Sequence, residues 1–262
     1  MFLPADHTFV VCAYGESQYL QACVESLLSQ AVASRVVIST STPNGFIKEI
    51  SEKYSIPLFM NPERKGIASD WNFALKCADT PLITLAHQDD LYEPEYTSTM
   101  LSVMNRVKSP VIFSSNYSEL RNGKKVYSNK LLNIKKILRL PMRLFPGSVT
   151  ARRLSLAFGD PICCPSVTYV RKIILEYPFS SGLYASLDWQ QWEVLSNLKG
   201  SFAYSNKFLL SHRIHAESET SRIINDTSRT MEDLEMFRKF WPERIARLLS
   251  HAYANGEKSN NI

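Results

Sequence analysis

Short apolar runs alternate with amphipathic segments through the first 90 residues, and no other feature of the sequence constrains the fold as strongly. The apolar runs, each too short for a helix, lie at residues 8–13, 36–38, 57–59 and 82–86. Segments with helical periodicity lie between them, at residues 18–30, 46–54 and 67–78. Strands that alternate with helices form parallel sheets covered by helices on both faces. We therefore expect an α/β fold with a mostly parallel, Rossmann-like sheet.

Four polar residues, His87, Gln88, Asp89 and Asp90, follow the apolar run at 82–86. Chemistry in open α/β sheets is located just beyond the carboxyl ends of the strands. Two adjacent carboxylates repel each other there, and a divalent cation relieves that repulsion. The alternative is a solvated turn whose aspartate caps the next helix. From this stretch alone, both interpretations stay open.

Composition limits the class of protein. The chain has 262 residues, 45% hydrophobic and 21% charged, as in globular proteins of one large α/β domain, with or without a helical appendix. We find no apolar run long enough to span a bilayer and no signal-peptide pattern at the start. Five cysteines without a CxxC pair indicate a reducing compartment, so we expect a cytoplasmic protein. The net charge of +5 favours anionic partners such as phosphates, nucleic acid or a membrane face.

The pattern changes after Pro110. Asn122-Gly123, between two strand-like runs, predicts a β-hairpin. Further strands are predicted at residues 111–113, 165–170, 202–204 and 208–212. Helices are predicted at residues 186–198 and 230–253, the second broken at Trp241-Pro242.

A basic amphipathic segment lies between the hairpin and the next predicted strand. Residues 120–159 contain no acid, and their basic residues are Arg121, Lys124, Lys125, Lys130, Lys135, Lys136, Arg139, Arg143, Arg152 and Arg153. A helix over 129–140 would carry leucines and isoleucines on one broad face, with Lys130, Lys135, Lys136 and Arg139 at its edge. Such a helix either lies in the headgroup region of an anionic membrane or packs its apolar face on the sheet. Both interpretations remain open.

Six motifs then occur in an order that resembles family 2 glycosyltransferases of the GT-A fold. They are VVCAYGESQYLQACVESLLSQ, VVISTSTPN, KGIASDWNFAL, LITLAHQDDLYEPEY, LDWQQWEVL and SHRIHAESETS. The resemblance covers roughly residues 8–225. It implies a GT-A domain over residues 1–225, with the basic segment as an insertion at about 121–158. Residues 226–262 are then a C-terminal helical appendix with a polar tail.

The resemblance, nearest to bacterial enzymes of cell-surface polysaccharide assembly, also implies a reaction. Its members move a sugar, with inversion, from a nucleotide-diphosphate sugar to a hydroxyl of a glycan or a lipid-linked acceptor. The donor expected here is UDP- or dTDP-linked, and the expected cofactor is divalent, Mn²⁺ or Mg²⁺. Peripheral contact with the inner face of an anionic membrane is expected as well, whereas no nucleic-acid module is recognised.

The motifs also show which residues of this sequence match the site residues of the family. Asp188 matches the base that activates the acceptor, and the metal ligands match Asp89, Asp90 and His215. The residues expected to bind the nucleotide sugar are Ala13, Tyr14, Glu16, Thr40, Ser41, Gly66, Asp70, Asn72, His87, Gln88 and Asp89.

Two departures from the family pattern keep other functions open. The first family carboxylate of the Asp-x-Asp motif is His87 here, and the acid that reads the base is replaced by the hydroxyls of Ser39, Thr40 and Ser41. Asp70 is a candidate replacement for part of that lost acid. The alternatives are a nucleotidyltransferase that forms nucleotide sugars, a non-catalytic assembly subunit and, more remotely, a metallohydrolase.

Overall fold

The computed structural model describes residues 1–215 and 227–258, with side chains at 1–215 and 229–254. Within these residues, nine strands form one sheet. The strands are β1 His7–Ala13, β2 Arg35–Thr40, β3 Leu58–Met60, β4 Leu82–His87, β5 Leu91–Tyr92, β6 Pro110–Arg121, β7 Lys124–Val126, β8 Thr168–Val170 and β9 Ser201–Ile214.

Eleven α-helices accompany the sheet in the same described ranges. They are α1 Leu20–Leu28, α2 Gly45–Lys53, α3 Ile67–Lys76, α4 Tyr96–Met104, α5 Lys130–Leu138, α6 Leu140–Leu144, α7 Val149–Leu156, α8 Arg171–Glu176, α9 Leu187–Ser196, α10 Thr227–Arg238 and α11 Glu243–Lys258. None of the described helices combines the length and the apolar composition needed to cross a bilayer.

The strand order is β3-β2-β1-β4-β8-β6-β9-β5, with β7 paired to β6. Strands β1 to β4 pair in parallel, and so do β6 and β9. The short strand β8 lies antiparallel between β4 and β6, and β5 is antiparallel to β9. The expected α/β class and its mostly parallel sheet are confirmed, with a mixed rather than a purely parallel sheet.

The central strands are buried on both faces. Side chains alternate across β1, so Phe9 and Val11 contribute to the core on one face, while Val10 contributes to the core on the other. The C-terminal helices pack into the same core as Val10 through Met236, Phe237 and other side chains. The boundary between a domain and an appendix at residue 225 stays a prediction.

A chain of buried polar groups ties the central strands together. The His7 imidazole hydrogen-bonds with Ser34 through Nδ1 and with Thr84 through Nε2, both at 2.8 Å. Thr84 also hydrogen-bonds with the Thr168 hydroxyl at 2.7 Å, which links β4 to β8. Burial lowers the pKa of His7 to about 3, so the ring is neutral at physiological pH.

Local chemistry explains the connections around the sheet. Asn122 and Gly123 have φ of 49° and 76°, both left-handed, as a tight hairpin turn requires, so the predicted β6–β7 hairpin is confirmed. The two late strands predicted at 202–204 and 208–212 are one irregular strand, β9. Asn116 of β6 bridges the irregularity by donating from Nδ2 to Asn206 O at 2.8 Å. A bulge, rather than a turn, therefore interrupts the pattern.

The basic segment folds as three short helices, α5 to α7. Asn129 caps α5, because its Oδ1 accepts a hydrogen bond from Leu132 N at 2.8 Å. The predicted arrangement of the side chains is wrong: Leu132 is buried, whereas Ile137 is 69% exposed. The long cations explain this reversal, because Arg139 is buried over the Tyr204 ring and Lys135 lies over the Tyr117 ring.

Candidate active site

The carboxyl end of β4 carries His87, Asp89 and Asp90, and β9 brings His212 to His215 beside them. Asp90 is fully buried, and its Oδ1 accepts a hydrogen bond from Arg213 N at 2.8 Å. His212 Nδ1 lies 3.0 Å from the same oxygen. Burial disfavours the imidazolium of His212, but the charge and hydrogen bond of Asp90 outweigh it and raise the pKa to about 9. Asp90 thereby ties β9 to the end of β4.

Asp89 lies closer to solvent and faces a different histidine. Its Oδ2 is 3.0 Å from His215 Nε2, and both side chains are about one-fifth exposed. Burial opposes ionisation of Asp89, but the His215 hydrogen bond and the charge of His212 outweigh it and lower the pKa. Arg213 donates from Nε to Asp89 O at 2.8 Å, and its guanidinium lies 4.2 Å from the centre of the Tyr19 ring. A cation is therefore fixed beside this carboxylate.

A divalent metal fits part of this arrangement. Asp89 and His215 offer an oxygen and a nitrogen that a Mn²⁺ or Mg²⁺ ion accepts, leaving positions for phosphate oxygens and water. The Asp90 carboxylate is already engaged by His212 and Arg213 N, so the geometry gives no support to Asp90 as a third ligand. Among the described residues, no group of three or more His, Cys, Asp or Glu side chains has metal-binding geometry.

His87 and Gln88 have contrasting surroundings. The His87 ring stacks on Trp71, with ring centres 5.2 Å apart, and in the described chain its buried Nε2 has no hydrogen-bond partner. Burial lowers the pKa of His87, so the ring is neutral. Gln88 instead accepts from Tyr14 N and donates to Tyr14 O, both at 3.0 Å. Gln88 joins the ends of β1 and β4, while His87 keeps a polar atom available.

The turn after β2 meets the start of α3. Asp70 accepts hydrogen bonds from Ser41 Oγ at 2.8 Å and from Asn61 Nδ2 at 2.9 Å. Gly66, with φ of 94°, precedes α3 and directs the chain so that Asp70 reaches this turn. A carboxylate thus lies beside the hydroxyls where the family's base-reading acid is missing.

The other predicted donor residues surround this turn or support it. Ala13 and Thr40 are buried at the strand ends, whereas Tyr14 and Glu16 are exposed in the loop after β1. Asn72 uses both ends of its amide on the backbone of Phe179, at 2.8 and 2.9 Å. Its role in the structure is to hold the loop that leads to α9.

Asp188 lies in the first turn of α9, on the side of the site where His87 lies. Its Oδ1 accepts a hydrogen bond from Trp189 N at 2.8 Å. The Asp160 carboxyl group hydrogen-bonds with that of Asp188, and its own Oδ1 accepts from Ile162 N at 3.0 Å. Burial and the charge of Asp188 raise the pKa of Asp160 well above its usual range. This side of the site therefore contains two carboxyl groups in contact.

The sequence matches the family described as Glycosyl transferase family 2 over residues 8–177. The chain belongs to glycosyl transferase family 2.

Its relatives are distant in sequence. An uncharacterized glycosyltransferase of Rickettsia bellii is 21% identical over 222 residues, covering 82% of this chain and 31% of that protein. Glycosyltransferase GlyA of Streptococcus pneumoniae is 23% identical over 116 residues, covering 42% of this chain and 17% of GlyA. The family 2 chain thus spans less than a third of the length of these two relatives.

Solved structures share the fold. Residues 1–349 of S. aureus TarS in complex with UDP-GlcNAc superpose with a TM-score of 0.65 at 15% identity, covering 97% of this chain and 73% of that one. The mannosyltransferase PcManGT of Pyrobaculum calidifontis, in complex with GDP-Man and Mn²⁺, gives a TM-score of 0.65 at 14% identity, covering 96% and 71%. The expected GT-A fold of the family 2 chain is confirmed.

Several residues of this family 2 site were not among the predicted site residues. Arg213 was noted only as part of the HRIH segment, and Tyr19, Asp160 and Lys135 were not singled out for this site. Asp160 had one usable signal, because it is the first acid after the acid-free stretch 120–159. Lys135 lies near enough to Asp160 for their charges to interact, and neighbouring groups raise its pKa although burial opposes this.

Proposed function

We propose that this family 2 protein is a metal-dependent, inverting glycosyltransferase. It moves a sugar from a UDP- or dTDP-linked donor to a hydroxyl of a glycan or lipid-linked acceptor in surface polysaccharide assembly. One observation carries the proposal: Asp89, His215 and Arg213 gather at the carboxyl end of β4, where the strand ends in His87. The similarity to structures solved with UDP-GlcNAc and with GDP-Man and Mn²⁺ supports it.

On the donor side, the proposed site stabilises the negative charge of the leaving diphosphate. The diphosphate leaves with developing charge, which fixed cations stabilise better than mobile water does. Arg213 is held by Asp89 O and the Tyr19 ring, so its guanidinium needs little reorganisation. Asp89 and His215 would hold the divalent ion, which when bound acts as a Lewis acid for the diphosphate. Asp90 and His212 keep β9, and therefore Arg213, in position.

On the acceptor side, the proposed site removes the proton of the acceptor hydroxyl. Inversion requires the acceptor hydroxyl to attack the face of the sugar opposite the diphosphate, with a base nearby. Asp188 takes that proton in the proposal. Asp188 lies in the first turn of α9, at the N-terminal end of the helix.

Recognition of the base is proposed at the turn after β2. An Asp70 carboxylate, oriented by Ser41 and Asn61, can accept the imide N–H of uracil or thymine. Guanine also presents an N1–H donor to a carboxylate, so the donor panel that tests this expectation includes GDP sugars.

A donor panel tests this function. UDP, dTDP and GDP sugars are screened by thermal shift, with and without Mn²⁺, on the full chain and on Asp70→Asn. A donor at a hundred times its Kd stabilises the fold by about 2.7 kcal/mol. The expected result is a Mn²⁺-dependent shift with a uracil or thymine donor that Asp70→Asn reduces.

Two outcomes contradict the proposal. Binding of no nucleotide at all indicates the non-catalytic assembly subunit, which the replacement of the first family carboxylate by His87 allows. Release of pyrophosphate from a nucleoside triphosphate and a sugar phosphate indicates the nucleotidyltransferase. Peripheral contact with an anionic membrane is part of the proposal.

A further inference from the structure

Helices α5 to α7 present a contiguous apolar surface to solvent. Ile137, Leu144 and Phe145 are 69%, 60% and 63% exposed, although all three are large hydrophobic residues. They line a groove of about 490 Å³ together with Leu140, Pro141 and Leu154. We call this surface the apolar groove. Contiguous exposed apolar surface of this kind marks an interaction site.

The side chains of the apolar groove are not part of the hydrophobic core. On the inward side of the same helices, Leu132, Met142 and Leu156 are already fully packed in the core. The outward residues therefore do not stabilise this fold in the described chain. Their exposure calls for a partner outside these residues.

A cationic pocket adjoins the apolar groove. It has a volume of about 640 Å³, and Arg106, Arg143 and Lys207 line it together with hydroxyl and amide side chains of Ser98, Thr99 and Asn206. In the described part of the chain, none of these three cations takes part in an ion pair. The pocket and the groove meet on α6, where Arg143 lines the pocket and its neighbour Leu144 lines the groove.

We propose that the apolar groove and the cationic pocket form one docking surface for an anionic lipid bilayer. Apolar side chains enter the boundary between headgroups and acyl chains while adjacent cations contact lipid phosphates, which requires both kinds of side chain side by side. Charge complementarity fits this occupant, because the cations that line the pocket, Arg106, Arg143 and Lys207, have no anionic side chain paired with them in the described part of the chain. A second copy docked on the same face would bring the cations of the two copies together.

Helix α5 contributes to the docking surface through Ile137, which is 69% exposed, and its Lys135 lies on the side of Asp160. Docking itself does not depend on the proposed transfer reaction; only the consequence, an acceptor carried on a lipid, rests on it.

Co-sedimentation of the full chain with vesicles tests the proposal. The vesicles contain phosphatidylcholine alone or phosphatidylcholine mixed with phosphatidylglycerol, at low and at high salt. We expect recovery with the anionic vesicles only, weakened by salt. The double variant Arg143→Gln with Lys207→Gln should lose about fivefold in affinity per cation removed. The double variant Leu144→Ser with Phe145→Ser should lose binding at both salt concentrations.

Matched controls separate docking from folding and from catalysis. Leu248→Ser removes an equally exposed hydrophobic residue of α11, at 70% exposure, and should bind vesicles like the unaltered protein. Circular dichroism and the donor thermal shift should be unchanged in every variant, since none of these residues lies in the proposed site. If the protein binds the donor but no vesicle, only the docking proposal is refuted. If it binds vesicles but no donor, only the proposed function is refuted.

Three results overturn the inference. One is equal recovery with neutral and anionic vesicles at low salt. Another is unchanged binding by both double variants. The third is a dimer, detected by light scattering without lipid, that Leu144→Ser with Phe145→Ser dissociates, because the groove would then be an interface between copies of this chain.

Discussion

Two pairs of aspartates in this protein have opposite surroundings. Asp90 faces His212 of β9 and Asp89 faces His215, just after β9, whereas Asp160 and Asp188 face each other. A cationic partner favours the carboxylate, while a second carboxylate in contact favours one shared proton. In the proposed function, the donor side therefore sets its carboxylates against histidines, whereas the acceptor side contains two carboxyl groups that can share one proton.

The largest effect we expect concerns the buried pair on the donor side. Asp90→Ala removes the charge and the hydrogen bond that keep the buried His212 ring protonated, and it leaves Arg213 N without its acceptor. Loss of one partner of a buried ion pair costs about 3–5 kcal/mol of unfolding free energy, and urea unfolding followed by circular dichroism measures it. Asp89→Ala is the matched control, since the partly exposed Asp89–His215 pair should cost less than about 1 kcal/mol while transfer is lost.

Equal stability of these two alanine variants would contradict this division of roles. Asp90 would then be available to a metal, as its place in the motif predicts. Near-normal turnover by both variants would instead remove the metal from this edge of the sheet.

The next effect tests the acceptor side. Asp188→Asn keeps the size and the helix position of the side chain but cannot take a proton. We expect transfer to fall about a hundredfold or more, the usual contribution of a general base, with donor affinity unchanged. A turnover assay and a donor titration on the same preparation separate the two quantities. Loss of donor binding would mean that Asp188 acts on the donor side, and the contrast between the two pairs would fail.

The sequence predicted the parallel half of the sheet because its signals are local. Apolar runs bounded by helical periodicity located β1, β2 and β4 to within a residue or two, and Asn122-Gly123 located the hairpin. Family motifs identified Asp89, Asp188 and His215 as site candidates. Their roles stay predictions.

The partners of those residues could not be predicted in the same way. Asp89 and His215 are 126 residues apart in the chain, and their contact depends on how β9 packs beside β5. Lys135 and Arg139 look like a solvated edge in the sequence, yet aromatic rings of β6 and β9 cover them. Periodicity shows which side chains share a helix face but not which face the protein buries.

The smallest effect we expect concerns the shared proton itself. The pKa of Asp160 is raised in the folded protein, so the folded state binds more protons than the unfolded chain above about pH 4. Asp160 therefore stabilises the fold below that pH and loses this contribution as pH rises through its folded pKa.

Asp160→Asn cannot ionise, yet its amide can still donate a hydrogen bond to Asp188. The unfolding free energy of Asp160→Asn should therefore exceed that of the unaltered protein at neutral pH, by about 1 kcal/mol or more. The two proteins should converge towards pH 4, and urea unfolding at a series of pH values measures the difference. Lys48→Gln, at an exposed pair of α2, is the control and should show no such trend. A constant difference across the pH range would show that the pKa of Asp160 is the same in the folded and the unfolded protein, and the proposed shared proton would be refuted.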